Sequence, residues 1–190
     1  VAQRGEEYDA RFERLAAEGH YLHGEADLVS LLLAERKEGR AGPVVDAGCG
    51  TGRVTIELAH RGVDVVGTDV DPIMLAAARA KAPALPWVEA DLVEPCFAPR
   101  FALALAAGNV MVFLRPGTAP DVIANLAAVL VPGGLLVAGF QLGAGLTLGC
   151  YDDSCSATGL VRVDRWATWD RRPFEGGDYA VSVHRLEHRT

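Results

Sequence analysis

The chain has 190 residues, half of them hydrophobic and 23% charged, with a formal net charge of −7. That length suits a single domain with its own core and excludes a disordered linker, while the acidic balance argues against non-specific attraction to nucleic acid or an anionic membrane. Aromatics make up only 7% and glycine contributes 21 residues, which suits helices and strands joined by tight turns rather than a sandwich packed with large rings.

In chain order, Tyr8, Phe12 and Leu15 recur at near-helical spacing and predict an amphipathic helix over Glu6–Ala17. Gly19 to Gly24 breaks it, and a second helix is predicted over Glu25–Glu38, with Glu25 and Asp27 as first-turn acids and Gly39 and Gly42-Pro43 as its stop. A short apolar strand, Val44–Ala47, enters a glycine cluster. A helix over Arg53–Arg61 follows, closed by Gly62. Val63–Asp69 reads as a second buried strand, and Pro72–Ala82 as a helix whose proline sits in the first turn, where a missing N–H is harmless. Pro83 and Pro86 end that helix. Strands are predicted over Trp87–Asp91 and Phe101–Ala107, a helix over Thr118–Leu130, and a fifth strand over Leu135–Phe140. Thr147 is placed to cap a short helix ending near Thr158, and two long strands, Val161–Arg171 and Tyr179–Arg189, close the chain.

From Val122 to Tyr151 there is no charged residue, long enough to raise the question of a membrane span. Pro132-Gly133-Gly134 divides the run, which makes it a covering helix followed by a buried strand. The N-terminal residues have no signal-peptide pattern, and a cytoplasmic protein is expected. Cys49, Cys96, Cys150 and Cys155 form no CxxC and have no histidine pair at zinc spacing, so free thiols and no metal site are expected; whether Cys150 and Cys155 pair is open.

Alternating strands and helices predict an α/β fold: a Rossmann-like, doubly wound, mostly parallel seven-stranded sheet with helices on both faces and an antiparallel strand near the C-terminus. In such sheets ligands bind beyond the carboxyl ends of the strands. Three successive ends carry chemistry here. Asp46 precedes Gly48, Gly50 and Gly52; Asp69 lies 23 residues on, and Asp91 a further 22. Small residues let the backbone approach a ligand, and the helix starting near Arg53 points N–H groups at an anion. Asp69 suits ribose hydroxyls, Asp71 suits a helix cap, and Asp91 suits either an adenine amino group or a turn.

These residues carry a resemblance. Val44-Val45-Asp46-Ala47-Gly48-Cys49-Gly50-Thr51-Gly52 resembles the cofactor loop of class I S-adenosylmethionine-dependent methyltransferases, of the small single-domain kind (methyltransferase type 11/25-like). The stretches Val65–Leu75, Glu89–Leu92 and Val129–Leu136 resemble the family's next motifs in order. The resemblance implies one domain, with 1–42 as a helical lid, 43–140 as the cofactor-binding core and 141–190 as a C-terminal helix and two strands. It implies S-adenosyl-L-methionine as cofactor and S-adenosyl-L-homocysteine as product. Gly48, Gly50 and Gly52 would approach the methionine part with Asp46 on its ammonium side, Ala47 and Cys49 would belong to the same cofactor loop, and Asp69 would hold the ribose. Asp91 and Leu92 would read adenine, with Val70 and Leu92 on its faces, Met74 and Ala90 would belong to the same cofactor site, and Ala107 and Asn109 would face the reacting end. The sequence lacks the Asn/Asp-Pro-Pro-aromatic tetrad of nucleobase amino methylators, so the implied acceptor is a small molecule rather than nucleic acid, and the protein a monomer or homodimer without membrane association.

Two other readings share part of this pattern. An NAD(P)-binding Rossmann oxidoreductase also has a glycine loop and a distal acid, but wants a small residue where Arg53 stands. A non-catalytic S-adenosylmethionine-binding sensor or partner subunit would keep the loop without the chemistry. On the acceptor side, Tyr8, His20 and His23 are the catalytic candidates, Tyr8 by reaching the cofactor and either histidine as a base. The Arg165–Pro173 segment, rich in tryptophan and arginine, is open to readings as an acceptor-site lining or a nucleic-acid stacking surface, and more simply as alternation along a strand.

Overall fold

A computed structural model describes residues 3–35, 42–95, 97–98 and 100–187. Its centre is one seven-stranded sheet, β1 (Val44–Ala47), β2 (Val65–Asp69), β3 (Trp87–Glu89), β4 (Phe101–Ala106), β5 (Leu130–Gln141), β6 (Leu160–Trp166) and β7 (Tyr179–Leu186), in the order β3-β2-β1-β4-β5-β7-β6. Strands β1 to β5 pair in parallel, and β7 inserts antiparallel between β5 and β6. Parallel neighbours need crossovers long enough for a helix, which α3 (Arg53–His60), α4 (Pro72–Lys81) and α6 (Ala119–Ala128) supply. Helices α1 (Gln3–Ala17), α2 (Gly24–Glu35), α5 (Val110–Phe113) and α7 (Leu148–Ala157) complete the fold. None of the described helices is long and apolar enough to cross a membrane.

Strand residues alternate between two cores. Val44, Leu103, Leu105, Val137 and Val183 face Leu28, Leu32 and Leu58 of α2 and α3, whereas Val45, Ala104, Leu136 and Phe140 face Ile123 and Leu126 of α6 and Tyr151 of α7. Both faces are covered, which explains the near-continuous apolar runs in β4 and β5.

Element order and type follow the sequence expectation, with four informative departures. Pro132-Gly133-Gly134 is not a turn ahead of β5 but an irregularity inside it. Phe101 pairs with Leu130 and Leu103 with Leu135, so one residue of β4 faces four of β5. The short helix α5 has no counterpart among the elements expected from the sequence. The strand after α7 ends at Trp166, not Arg171: the chain turns there, and the Trp169 indole N–H donates to Tyr179 Oη at 3.1 Å. Trp169 is therefore packed by a turn rather than by strand alternation. β7 sits inside the sheet, leaving β6 as the edge. The expected end of the second helix beyond Glu35, and Cys96, lie outside the described residues. Cys49, Cys150 and Cys155 are free thiols.

Candidate functional site

The strand order reverses between β1 and β4, and there the carboxyl ends open into a cavity of about 700 Å³. Asp46, Gly48, Cys49 and Gly50 line it after β1, Asp69 and Val70 after β2, Ala90, Asp91 and Leu92 after β3, and Ala107, Gly108 and Asn109 after β4. Helix α1 roofs it with Tyr8, Arg11 and Phe12.

The glycine loop is fixed by its own backbone. The N–H groups of Gly48 and Cys49 both donate to Thr68 O, at 2.8 and 2.9 Å, and Gly52 N–H donates to Cys49 O at 2.9 Å. Gly50 has φ 56°, and a Cβ added there meets nothing within 4 Å, so the missing side chain leaves open cavity beside the backbone. Asp69 locks the loop to β2: its Oδ2 accepts Gly50 N–H at 2.7 Å and its Oδ1 accepts Asp71 N–H at 2.9 Å. Asp71 in turn caps α4, accepting Ile73 N–H at 2.9 Å.

Comparison with known proteins bears on this arrangement. A methyltransferase-domain family profile matches residues 44–134. A TehB-like SAM-dependent methyltransferase from Corynebacterium glutamicum is 33% identical, with a TM-score of 0.88, over 98% of this chain and 100% of that one. The chain belongs to the S-adenosylmethionine-dependent methyltransferases. The trans-aconitate 2-methyltransferase of Acidovorax sp. (strain JS42) is 37% identical over 95 residues, which is 49% of this chain and 36% of that protein. This methyltransferase thus matches only about a third of the length of that curated relative. An amino pentose methyltransferase from Micromonospora echinaspora with SAM bound shares the fold at 20% identity, with a TM-score of 0.74 over 94% of this chain and 96% of that one.

The methyltransferase cavity fits its family's cofactor in two respects. The space beside Gly50 is a cradle that a Cβ would fill. Asp46 is buried at the end of β1, and burial pushes its pKa up to about 6, against the hydrogen bond that Thr55 Oγ1 donates at 2.6 Å. A buried carboxylate held this way gains from a cationic neighbour such as an ammonium.

Most of the residues expected at the cofactor meet in the cavity. Met74, on α4, joins the strand-end residues there. Two do not. Ala47 is fully buried in the core beneath the loop. Gly52, at φ 85°, turns its α-carbon toward Trp87 of β3, where an added Cβ would lie 2.5 Å from the indole. Its smallness serves helix-to-sheet packing. Asp91 lines the cavity and also forms the turn: Oδ1 accepts Val93 N–H at 3.1 Å and Oδ2 pairs with Arg115 at 3.1 Å.

The catalytic candidates separate. Tyr8 faces the cavity, its hydroxyl near Gly108, and burial raises its pKa while the Arg53 charge opposes this. Neither histidine lines the cavity: His20 is exposed beside Glu18 at 3.8 Å, and His23 lies 3.5 Å from Glu57 of α3. Glu25 does more than begin α2, since it accepts from both terminal nitrogens of Arg53, at 2.5 and 3.2 Å. Arg53 also donates to Leu22 O and lies over the Phe12 ring, 4.5 Å from its centroid. The long side chain thus turns sideways into α1 and α2 and leaves the helix–sheet contact to Gly52. Sequence reasoning missed Arg11, Phe12 and Phe113 as lining residues. The i, i+3, i+4 spacing of Tyr8, Arg11 and Phe12 was the available signal for the first two.

Proposed function

We propose that the protein transfers a methyl group from S-adenosylmethionine to a small-molecule acceptor by in-line displacement, as a single domain with 1–42 as lid, 43–140 as core and 141–190 as C-terminal cover. The observation that carries this reading is the convergence of Asp46, the Gly48–Gly50 loop, Asp69 and Asp91 on one cavity closed by α1. The roof favours an acceptor that enters a pocket over a polymer lying across a surface, and the trans-aconitate 2-methyltransferase relative also points to a small acceptor. Unpaired thiols at Cys49, Cys150 and Cys155 suit a reducing cytoplasm.

When bound, S-adenosylmethionine supplies an activated methyl group on a sulfonium, so the chain's task is orientation and exclusion of water. In this reading Asp69 holds the ribose, Val70, Met74, Ala90, Asp91 and Leu92 hold adenine, and Asp46 faces the amino group. Asn109 is pre-set: it adopts φ 67°, and its Oδ1 accepts Gln141 N–H at 2.8 Å. That bond leaves its NH2 to donate to the acceptor. Tyr8, kept protonated by burial, acts as a second donor rather than a base. An acceptor already ionised at neutral pH needs no general base, in keeping with a cavity lined by no histidine among the described residues.

The test is incubation with S-adenosylmethionine and a broad metabolite panel that includes carboxylic acids, amines and phenols, read by mass spectrometry. The expected result is one product heavier by a methylene. Binding of S-adenosylhomocysteine with no methylated product would instead favour the sensor reading.

A further inference from the structure

We propose that Arg11 forms a carboxylate-binding subsite on the inward face of α1. The proposal rests on the cavity being the cofactor and acceptor site, and begins from its charges. Asp46 is bonded by Thr55, Asp69 by two loop amides and Asp91 by Arg115; Arg53 is held bidentately by Glu25. Arg11 is the charged lining residue with no hydrogen bond or ion pair to any partner among the described residues.

Its position is set by its helix. Tyr8, Arg11 and Phe12 share one face of α1, the Tyr8 and Phe12 rings lie 4.9 Å apart, and Phe12 is pinned under the Arg53 guanidinium. Asp9, on the neighbouring side, anchors the helix to Thr51 Oγ1 at 2.6 Å and to Lys81 Nζ at 2.8 Å. The backbone that carries Arg11 is therefore fixed over the cavity while its guanidinium stays uncommitted. A planar guanidinium offers paired donors that match a carboxylate, and such charge-assisted bonds are the strong ones. The charge balance selects the ligand class. The cavity already contains the carboxylates of Asp46, Asp69, Asp71 and Asp91, so one free cation suits a single carboxylate better than a dianionic phosphate.

That carboxylate belongs either to the amino-acid end of the cofactor or to the acceptor. Calorimetry on Arg11→Gln and Arg11→Lys separates the two. The first arm titrates S-adenosylhomocysteine and 5′-methylthioadenosine, which shares the nucleoside but lacks the amino acid. The second titrates propionate, a monocarboxylate, into protein saturated with S-adenosylhomocysteine. If the carboxylate is the cofactor's, Arg11→Gln weakens S-adenosylhomocysteine binding about tenfold or more, leaves methylthioadenosine unchanged, and is partly rescued by lysine. If it is the acceptor's, S-adenosylhomocysteine binding is unchanged, while propionate binds the loaded wild type and not Arg11→Gln. Unchanged binding in both arms overturns the subsite. Failure of the wild type to bind S-adenosylhomocysteine at all rejects the cofactor reading instead. Arg11 is solvent-exposed, so loss of fold does not confuse the outcome.

Discussion

The Asp9 carboxylate accepts a hydrogen bond from Thr51 Oγ1 at 2.6 Å, joining the roofing helix directly to the glycine loop. Lys81 at the end of α4 grips the same carboxylate from the other side, at 2.8 and 2.9 Å. The lid and the cofactor loop are thus one mechanical unit, and the rate at which cofactor leaves should depend on this contact.

Asp9→Ala is expected to speed release of S-adenosylhomocysteine about fivefold, the loss of about 1 kcal/mol of charge-assisted bonding, with little change in the association rate. Stopped-flow tryptophan fluorescence reads both rates. An unchanged release rate would mean that α1 is not held closed by Asp9.

Gly50 and Gly52 both have positive φ but do different work. Gly52→Ala drives a methyl group against Trp87 and is expected to cost about 2–3 kcal/mol of stability, read as a lower Tm. Gly50→Ala faces open space and costs about 1 kcal/mol of backbone strain, yet blocks the approach of ligand to the loop. Calorimetry should find binding lost in Gly50→Ala at temperatures where it is still folded. Equal thermal losses in the two variants would remove the distinction.

Asp46 gives a pH signature. Its pKa rises from 3.8 in the unfolded chain to about 6 in the fold through burial, so the folded state binds the extra proton. The resulting stabilisation is complete below pH 3.8 and is lost as pH rises through about 6. Asp46→Asn removes this dependence. Its stability advantage over wild type, read as a higher Tm, is expected to grow between pH 4 and 6.5, up to about 3 kcal/mol at the plateau. A cationic ligand group that lowers the Asp46 pKa must also release protons on binding near pH 5.5. Titration in two buffers of different ionisation enthalpy detects that release. A pH-independent Tm difference between variant and wild type would contradict the assignment.

His184 contributes with the opposite sign. It is buried at 1% exposure between Tyr151 and Asp152, and burial lowers its pKa from 6.5 to about 4 although the Asp152 carboxylate 3.3 Å away works to raise it. Arg165 and Arg162 also face the pair, through Asp152. Stability from this site is fully present above pH 6.5 and is lost as pH falls toward 4. His184→Gln should flatten the fall of Tm across that window. A slope identical to wild type would show that the fold leaves the His184 pKa at its unfolded value.

Much of the cofactor side was legible because it follows local rules. Asp71 before Pro72 and Thr147 before α7 were readable as caps, and both accept the expected backbone N–H, from Ile73 and Cys150. Asp46 and Asp69 lie at the ends of β1 and β2 and Asp91 just past the end of β3, so their meeting follows from parallel topology. The remainder depends on contacts distant in sequence. Nothing beside Gly52 announces that Trp87 will pack on it. The four residues of α5 are too few to show a helical period, yet they place Val110 and Phe113 on the cavity. Pro132-Gly133-Gly134 looks like a turn until pairing of Leu130 and Leu135 with β4, on either side of it, carries the strand through. His20 and His23 lie near Tyr8 in sequence, but the break between α1 and α2 turns them toward Glu18 and Glu57.

Calorimetric titration of S-adenosylhomocysteine and NADH into wild type and Asp69→Ala tests the cofactor assignment most directly. The side chain of Asp69 both orders the loop through Gly50 and stands at the proposed ribose position. One-to-one binding of S-adenosylhomocysteine to wild type is expected, with a loss of about tenfold or more in a folded Asp69→Ala and no binding of NADH. Binding of NADH in place of S-adenosylhomocysteine, or wild-type affinity in Asp69→Ala, would contradict the assignment.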